Sequence, residues 1–236
     1  MLSERRRQQV AQGFLAGCLA AAIVLFIWSN NLFTRIRLQL SDIYFVSSPV
    51  SDSIVIVALD DASFRRYGRA PSQWSRTVYA DLIDILDRAG ARVVAFDVLF
   101  SEETADDAAL ADAIQSARQS DTRLRTVAAA AGVPPTSPAV DLEGFPQATR
   151  FENAITPVDQ LAGVIDYTGY VNTFPDVDGI VRRQPSLVQI GSEGSVSWSL
   201  AIYLAYLRVP EGALRQVITH SDGELNIAGS RSVHID

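Results

Sequence analysis

Lysine is missing from this chain of 236 residues; all 20 of its basic residues are arginine. Chemistry that needs an ammonium side chain is therefore excluded: Schiff-base catalysis, Walker-type phosphate loops and the lysine-dependent phosphoswitch of receiver domains. Cysteine occurs once, as Cys18 inside an apolar run, so neither a disulfide framework nor a multi-cysteine zinc site can form. His220 and His234 are the only histidines, too few for a histidine-rich metal centre. None of G-x-S-x-G, G-x-G-x-x-G and H-E-x-x-H occurs, so no sequence motif supports catalysis.

What is present is an ordinary globular composition, 48% hydrophobic with a formal net charge of −7. The charge is unevenly spread. Residues 1–41 carry Arg5, Arg6, Arg7, Arg35 and Arg37 against Glu4, whereas the remainder has 15 arginines against 26 acidic residues, a balance of −11. An acidic body of this kind repels phosphate backbones, which excludes nucleic acid as an expected partner. Its length of about 195 residues suits one domain that buries about 70% of its unfolded surface.

Between Arg7 and Arg35 no charged residue occurs, and residues 13–33 (GFLAGCLAAAIVLFIWSNNLF) match the length of a helix that crosses a bilayer core. A buried core helix and a cleaved signal peptide are the alternatives. Against cleavage, Trp28-Ser29-Asn30-Asn31 stands where a small-x-small site is required. The reading is a retained anchor: a basic tail over 1–12, a transmembrane helix over 13–33 and an extracytoplasmic body over 34–236. Three arginines precede the helix and two follow it, which places the amino terminus in the cytoplasm and the body outside the inner membrane. The lipid bilayer is thus the first expected partner.

In the body, residues 34–49 read as a continuation of the membrane helix, stopping at Pro49. Residues 53–59 (SIVIVAL) are a continuous β-branched run of the kind that forms a strand covered on both faces. Val78, Leu82, Ile85, Leu86 and Ala89 recur at helical spacing over 75–89, with Gly90 as the residue that closes the helix. A second buried strand over 92–100, a helix over 106–119 whose acidic Asp106-Asp107 start favours a helix amino terminus and which carries Leu110, Ala113, Ile114 and Ala117 on one side, and a third strand over 124–130 complete a β-α-β-α-β pattern. The fold class this predicts is α/β: a three-layer, mostly parallel sheet with helices on both faces, preceded by one transmembrane helix. Residues 132–165, with five prolines, read as a long surface excursion; strands over 168–172 and 180–190 flank a turn at 176–179; 199–207 is an apolar helix; and short strands lie within 215–235. The pattern breaks off at Asp236, as expected of a fragment of a longer protein.

Asp60, Asp61 and Asp97 fall at the carboxyl ends of two expected strands, where ligands bind in doubly wound sheets, and together they could hold a cation or an amine. The alternative is that they cap loops or pair with arginines such as Arg76 and Arg92. Trp74 and Arg76, in the loop R-A-P-S-Q-W-S-R, offer stacking and forked hydrogen bonds to a carboxylate or ring, or else pin the loop to the acidic strand ends. Asp176-Val177-Asp178-Gly179 opens like a calcium loop, but Arg182 and Arg183 stand where oxygen ligands are needed, so a tight turn fixed by Gly179 is the better reading.

Taken in order, LDDAS (59–63), GRAPSQWSR (68–76), FDVLFSE (96–102), DDAALADAI (106–114), GYVN (169–172), DVDGIVRR (176–183) and Ser199-Leu200-Ala201 resemble the type-two CHASE domain over residues 38–236. This is a cyclase- and histidine-kinase-associated extracellular sensory domain. The usual proline-tryptophan-x-arginine run is altered here, since Ser72-Gln73 separate Pro71 from Trp74. The resemblance implies a sensory input region without catalytic residues or cofactor, responding to an unidentified small-molecule or protein stimulus. It also implies control of a cytoplasmic adenylate or guanylate cyclase, or alternatively of a histidine or serine/threonine kinase or a diguanylate cyclase. Dimerisation is expected for such control. Asp60, Arg76, Asp97, Asp178 and Arg182 occupy motif positions, and together with Asp61 and Trp74 they are the candidate ligand-binding residues. Two readings of other classes stand beside it: a metal-dependent hydrolase using Asp60, Asp61 and Asp97, and a structural dimerisation module.

Overall fold

The computed structural model describes residues 4–30, 32–45, 51–68, 70–142, 145–210, 218–221, 224–227 and 233–234. The chain divides into two compact units, Met1–Ile56 with Pro175–Arg182, and Val57–Phe174 with Arg183–Asp236.

The first unit is built on helix α1 (Glu4–Ser29), within which Gln12–Ser29 is long and apolar enough to cross a membrane and is wholly unburied. At about 1.5 Å per residue its 26 residues extend roughly 39 Å. The helix ends where Asn30 turns its side-chain amide back onto the Phe26 carbonyl at 2.8 Å. A separate helix, α2 (Leu32–Ser41), follows, and a 3-10 turn over Asp42–Tyr44 closes it. The expected continuous helix to Pro49 is therefore two helices with a break at Asn30; residues 46–50 lie outside the described residues. The same unit holds the turn at 176–179. The Gly179 amide donates to the Asp176 carbonyl at 2.8 Å, and the φ of Gly179, +84°, is one that a side chain would strain.

In the second unit the chain enters through Leu59, and Asp60 caps helix α3 (Asp61–Tyr67). The strand expected over 53–59 does not form: residues 54–60 pair with no strand among the described residues, and Ile54 to Val57 are more than half exposed. A β-branched apolar run supplies strand propensity, but a ladder also needs a neighbouring strand, which sequence does not reveal. Helix α4 (Arg76–Arg88) forms where expected, with Ser75 as N-cap and Gly90 at φ +86° beyond its end, but of the expected face Val78, Leu82 and Leu86 are only half-buried and Ile85 and Ala89 are exposed. It buries Tyr79 and Ile83. Strand β1 (Val93–Phe96) follows, then helix α5 (Asp107–Gln119), which buries Leu110, Ala111, Ile114 and Ala117.

The long strand β2 (Arg125–Leu142) is the centre of the sheet. Its first part pairs in parallel with β1 and with β4 (Tyr167–Tyr170), giving the parallel core the sequence implied. Its second part folds back on β3 (Phe145–Ile155) as an antiparallel hairpin. β3 pairs in parallel with β5 (Leu187–Ile190), which turns antiparallel into β6 (Glu193–Val196). The sheet is thus mixed, with two antiparallel pairings, and residues 132–142 and 145–155 of the surface excursion expected over 132–165 are hairpin strands. Proline hid them. The β2–β3 register slips between Val133 and Thr136 and between Ser137 and Val140, the intervals that hold Pro134, Pro135 and Pro138, because proline has no N–H to give the ladder. Of the strand expected over 180–190, only Leu187–Ile190 forms. A short helix, α6 (Asp159–Ala162), precedes β4, and the apolar helix expected over 199–207 is α7 (Trp198–Leu207), capped by Ser197. Within 215–235 a small separate sheet contains Ile218–Ser221, Glu224–Ile227 and Val233–His234.

Alternation along β1 divides the core. Val94 and Phe96 join the cluster of Tyr79, Ile83, Phe100, Leu110 and Ile114 from the α4–α5 side, while Val93 and Ala95 pack against the cluster that Val127 of β2 forms with Leu200, Ala201 and Leu204 of the α7 helix. Gly169 in β4 lets α7 approach closely: a Cβ there would stand 2.4 Å from the Trp198 Cα. Beyond β4 the Asn172 side chain continues the ladder, accepting from the Gly132 amide at 2.7 Å and donating to the Gly132 carbonyl at 2.9 Å.

Candidate functional site

Two constellations of charged side chains stand out, one in each unit. In the second unit, the Ser75 cap starts α4 so that Arg76, its first residue, turns into the core. Arg76 is fully buried. Its Nε donates to Asp107 Oδ1 at 2.9 Å, Nη1 to the Ser72 carbonyl at 2.6 Å and Nη2 to the Glu102 carbonyl at 2.9 Å, with the guanidinium 4.9 Å from the Phe100 ring centroid. Asp107 also accepts from the Thr104 amide at 2.8 Å and hydroxyl at 3.0 Å. Burial pushes the Asp107 carboxyl up, yet the Thr104 bonds and Arg76 outweigh it and hold the group below the ordinary carboxylate range.

Trp74 is buried as well. Its Nε1 donates to the Gly68 carbonyl at 2.8 Å, and its ring stacks on Tyr79 with centroids 6.2 Å apart. The Tyr79 hydroxyl donates to the Pro71 carbonyl at 2.7 Å, and burial raises it to about 12 despite the nearby Arg76. The loop expected to offer arginine and indole to a ligand thus folds both inward. It is pinned by Asp107 rather than by the acidic strand ends, and Arg92 lies over the Tyr206 ring at 4.4 Å.

Asp60 and Asp61 sit at the start of α3, and Asp97 immediately follows β1. Asp60 Oδ1 accepts from the Ser63 amide at 2.9 Å and hydroxyl at 2.8 Å, and these bonds lower its pKa; this is the capping role. Asp61 and Asp97 are exposed. Among the described residues no group of three or more His, Cys, Asp or Glu side chains is arranged to hold a metal ion, so the three aspartates do not form the centre a hydrolase would need.

In the first unit, Asp178 and Arg182 do come together. Arg182 is 6% exposed at its side chain and reaches three carboxylates. Its Nε and Nη2 fork onto Asp42 Oδ1 and Oδ2 at 2.6 and 2.8 Å, 140 residues away in sequence. Nη1 and Nη2 meet Asp178 Oδ1 and Oδ2 at 2.9 and 2.8 Å, and Nη1 meets Asp176 Oδ2 at 3.1 Å. The hydrogen bonds from Arg182 drive Asp178 down to about 2 and lower Asp42, while the guanidinium's own pKa is raised. Asp178 also accepts from the Ile180 amide at 3.2 Å, fixing the turn. The chemistry of this site is mechanical: a rigid planar fork ties the segment after α2 to the turn at 176–179.

Asp42 escaped the sequence reading because it lies in what read as a helix extension, and its partner is remote. The signal available was Arg182 itself, four residues after Asp178 and unable to serve a calcium loop. Asp107 escaped as well, being read only as an acid favouring the start of α5.

A family model described as the CHASE2 domain matches residues 18–235, nearly the whole chain. The chain belongs to the CHASE2 domain family. CHASE2 domains are sensory, extracellular domains of signalling proteins and are not themselves catalytic. The matched span begins inside α1 and takes in Asp42, the Arg76 loop and the Arg182 turn. No curated protein and no solved structure matches the chain significantly.

Proposed function

We propose that this CHASE2 chain is the extracytoplasmic input region of a membrane-anchored bacterial receptor, with α1 as its anchor and its amino terminus in the cytoplasm. The observation that carries the reading is the joining, in one unit, of an apolar helix of spanning length to a turn clamped by Arg182. A stimulus acts by binding two arrangements of the domain with different affinity, and the clamp passes the difference to the segment that follows the anchor. Among the candidate ligand residues, Asp61 and Asp97 are open to a stimulus, whereas Asp60, Trp74, Arg76, Asp178 and Arg182 are committed to internal bonds. The output is a nucleotide cyclase working as a homodimer; a kinase or a diguanylate cyclase is the alternative output.

Topology is tested by fusing alkaline phosphatase after Asp236 in a Gram-negative host and by carbonate washing of the membranes. An active fusion that stays with the pellet is expected. An inactive fusion, or release of the intact chain by carbonate, overturns the reading.

A further inference from the structure

The Arg182 clamp brings two apolar segments to one place. Asp42 is followed by Ile43, Tyr44 and Phe45, and the clamped turn carries Val177, Ile180 and Val181; all six are between 48% and 84% exposed. We propose that this collar is a lipid-docking surface: the turn at 176–181 rests with the segment after α2 in the interfacial region of the same bilayer that α1 crosses. The inference rests on the anchor reading above and extends it to a part of the chain about 150 residues beyond the anchor.

Three observations favour lipid as the occupant. The first is continuity. Only α2 separates the spanning segment Gln12–Ser29 from the collar, and α2 itself exposes Phe33, Ile36 and Leu40 alongside Arg35 and Arg37, the mixture of apolar and basic groups found on helices that lie in a headgroup region. The second is the disposition of charge. Asp42, Asp176 and Asp178 would be costly against a membrane surface if free, but all three are hydrogen-bonded to Arg182; the net −2 that three carboxylates on one guanidinium leave is matched by Arg35 and Arg37 on α2, and of the three carboxylates only Asp42 keeps as much as 40% of its side chain exposed. The third is side-chain type: Tyr44 and Phe45 are aromatic, and Tyr44 adds the polar tip favoured at the membrane–water boundary.

The test uses the full chain with Cys18→Ser in phosphatidylcholine vesicles, with one new cysteine at a time carrying an environment-sensitive fluorophore. Ile180→Cys and Val177→Cys report on the turn, and Asp112→Cys, on an exposed position of α5, is the water-facing control. Lipids bearing a nitroxide near the headgroup are expected to quench labels 180 and 177 several-fold more strongly than label 112. Equal quenching at all three positions, in a chain that resists carbonate extraction, overturns lipid docking and leaves the anchor intact. Blue-shifted emission at 180 without quenching by lipid nitroxide means that a protein surface, such as a second copy, covers the collar, and this also overturns it. Release of the chain by carbonate removes the anchor and the docking surface together.

Discussion

Arg76 and Asp107, 31 residues apart in sequence, meet at 2.9 Å with both side chains buried. The pair joins the first residue of α4 to the first residue of α5, and through the Ser72 and Glu102 carbonyls it also fixes the two preceding loops. It acts as a structural cross-brace. Removing one partner leaves an uncompensated buried charge, which costs about 3–5 kcal/mol. Arg76→Ala is therefore expected to lower unfolding free energy by about that amount, measured by urea denaturation. A loss below about 1 kcal/mol would mean that the guanidinium is hydrated and the loop open.

The Arg182 clamp has a defined acid limit. Asp178 falls from an ordinary 3.8 to about 2, and Asp42 is lowered too, because both accept hydrogen bonds from the guanidinium. A carboxyl whose pKa is depressed by folding stabilises the folded chain fully above its unfolded value and ceases to do so as pH falls through its folded value. The clamp is thus expected to hold above about pH 4 and to be lost progressively between about pH 4 and pH 2. Amide hydrogen exchange over residues 176–182, followed as pH is lowered and corrected for intrinsic rates, should show protection falling in that window. Asp178→Asn should show weaker protection already at neutral pH. Protection that is independent of pH in the wild-type chain would contradict the ionic account.

The elements legible in the sequence were those fixed by local chemistry. α4 followed from apolar spacing between Ser75 and Gly90, α5 from Leu110, Ile114 and Ala117 behind an acidic start, and the turn at 176–179 from Gly179. Pairing decisions were not legible. Residues 53–59 have strong strand propensity and no ladder, whereas residues 132–155 carry four prolines and form one, because the hairpin absorbs them in register slips. The same division holds for the charged sites. Asp60 capping its own helix is a short-range fact, but Arg182 with Asp42 spans 140 residues and Arg76 with Asp107 spans 31, so residue type announced a buried cation without naming its partner.

Asp61 and Asp97 provide the contrast to Arg76. Both are exposed, so Asp61→Asn and Asp97→Asn are expected to change stability by less than about 0.5 kcal/mol. If a stimulus meets these carboxylates, the same variants should weaken its saturable thermal shift while leaving the melting temperature of the free chain in place. Screening a cationic and amine metabolite panel against wild type and both variants separates the outcomes: shifts that are equal in all three proteins exclude these two residues from recognition.

Gly169 tests how closely α7 must approach the sheet. A methyl group there would lie 2.4 Å from the Trp198 Cα, 2.9 Å from the Ala201 Cβ and 3.0 Å from the Trp198 nitrogen, and two of these three are backbone atoms that cannot swing aside. The helix would have to lift from β4, loosening the cluster of Val127, Tyr167, Leu200 and Leu204 beneath it. Overpacking of this kind typically costs about 1–3 kcal/mol, and Gly169→Ala is expected to fall in or above that range. A compensating Ala201→Gly clears only the 2.9 Å contact and leaves the backbone clash, so it should recover a minor part of the loss. Denaturation midpoints of the single and double variants check this; full recovery in the double variant would locate the constraint in the Ala201 side chain instead of the helix backbone.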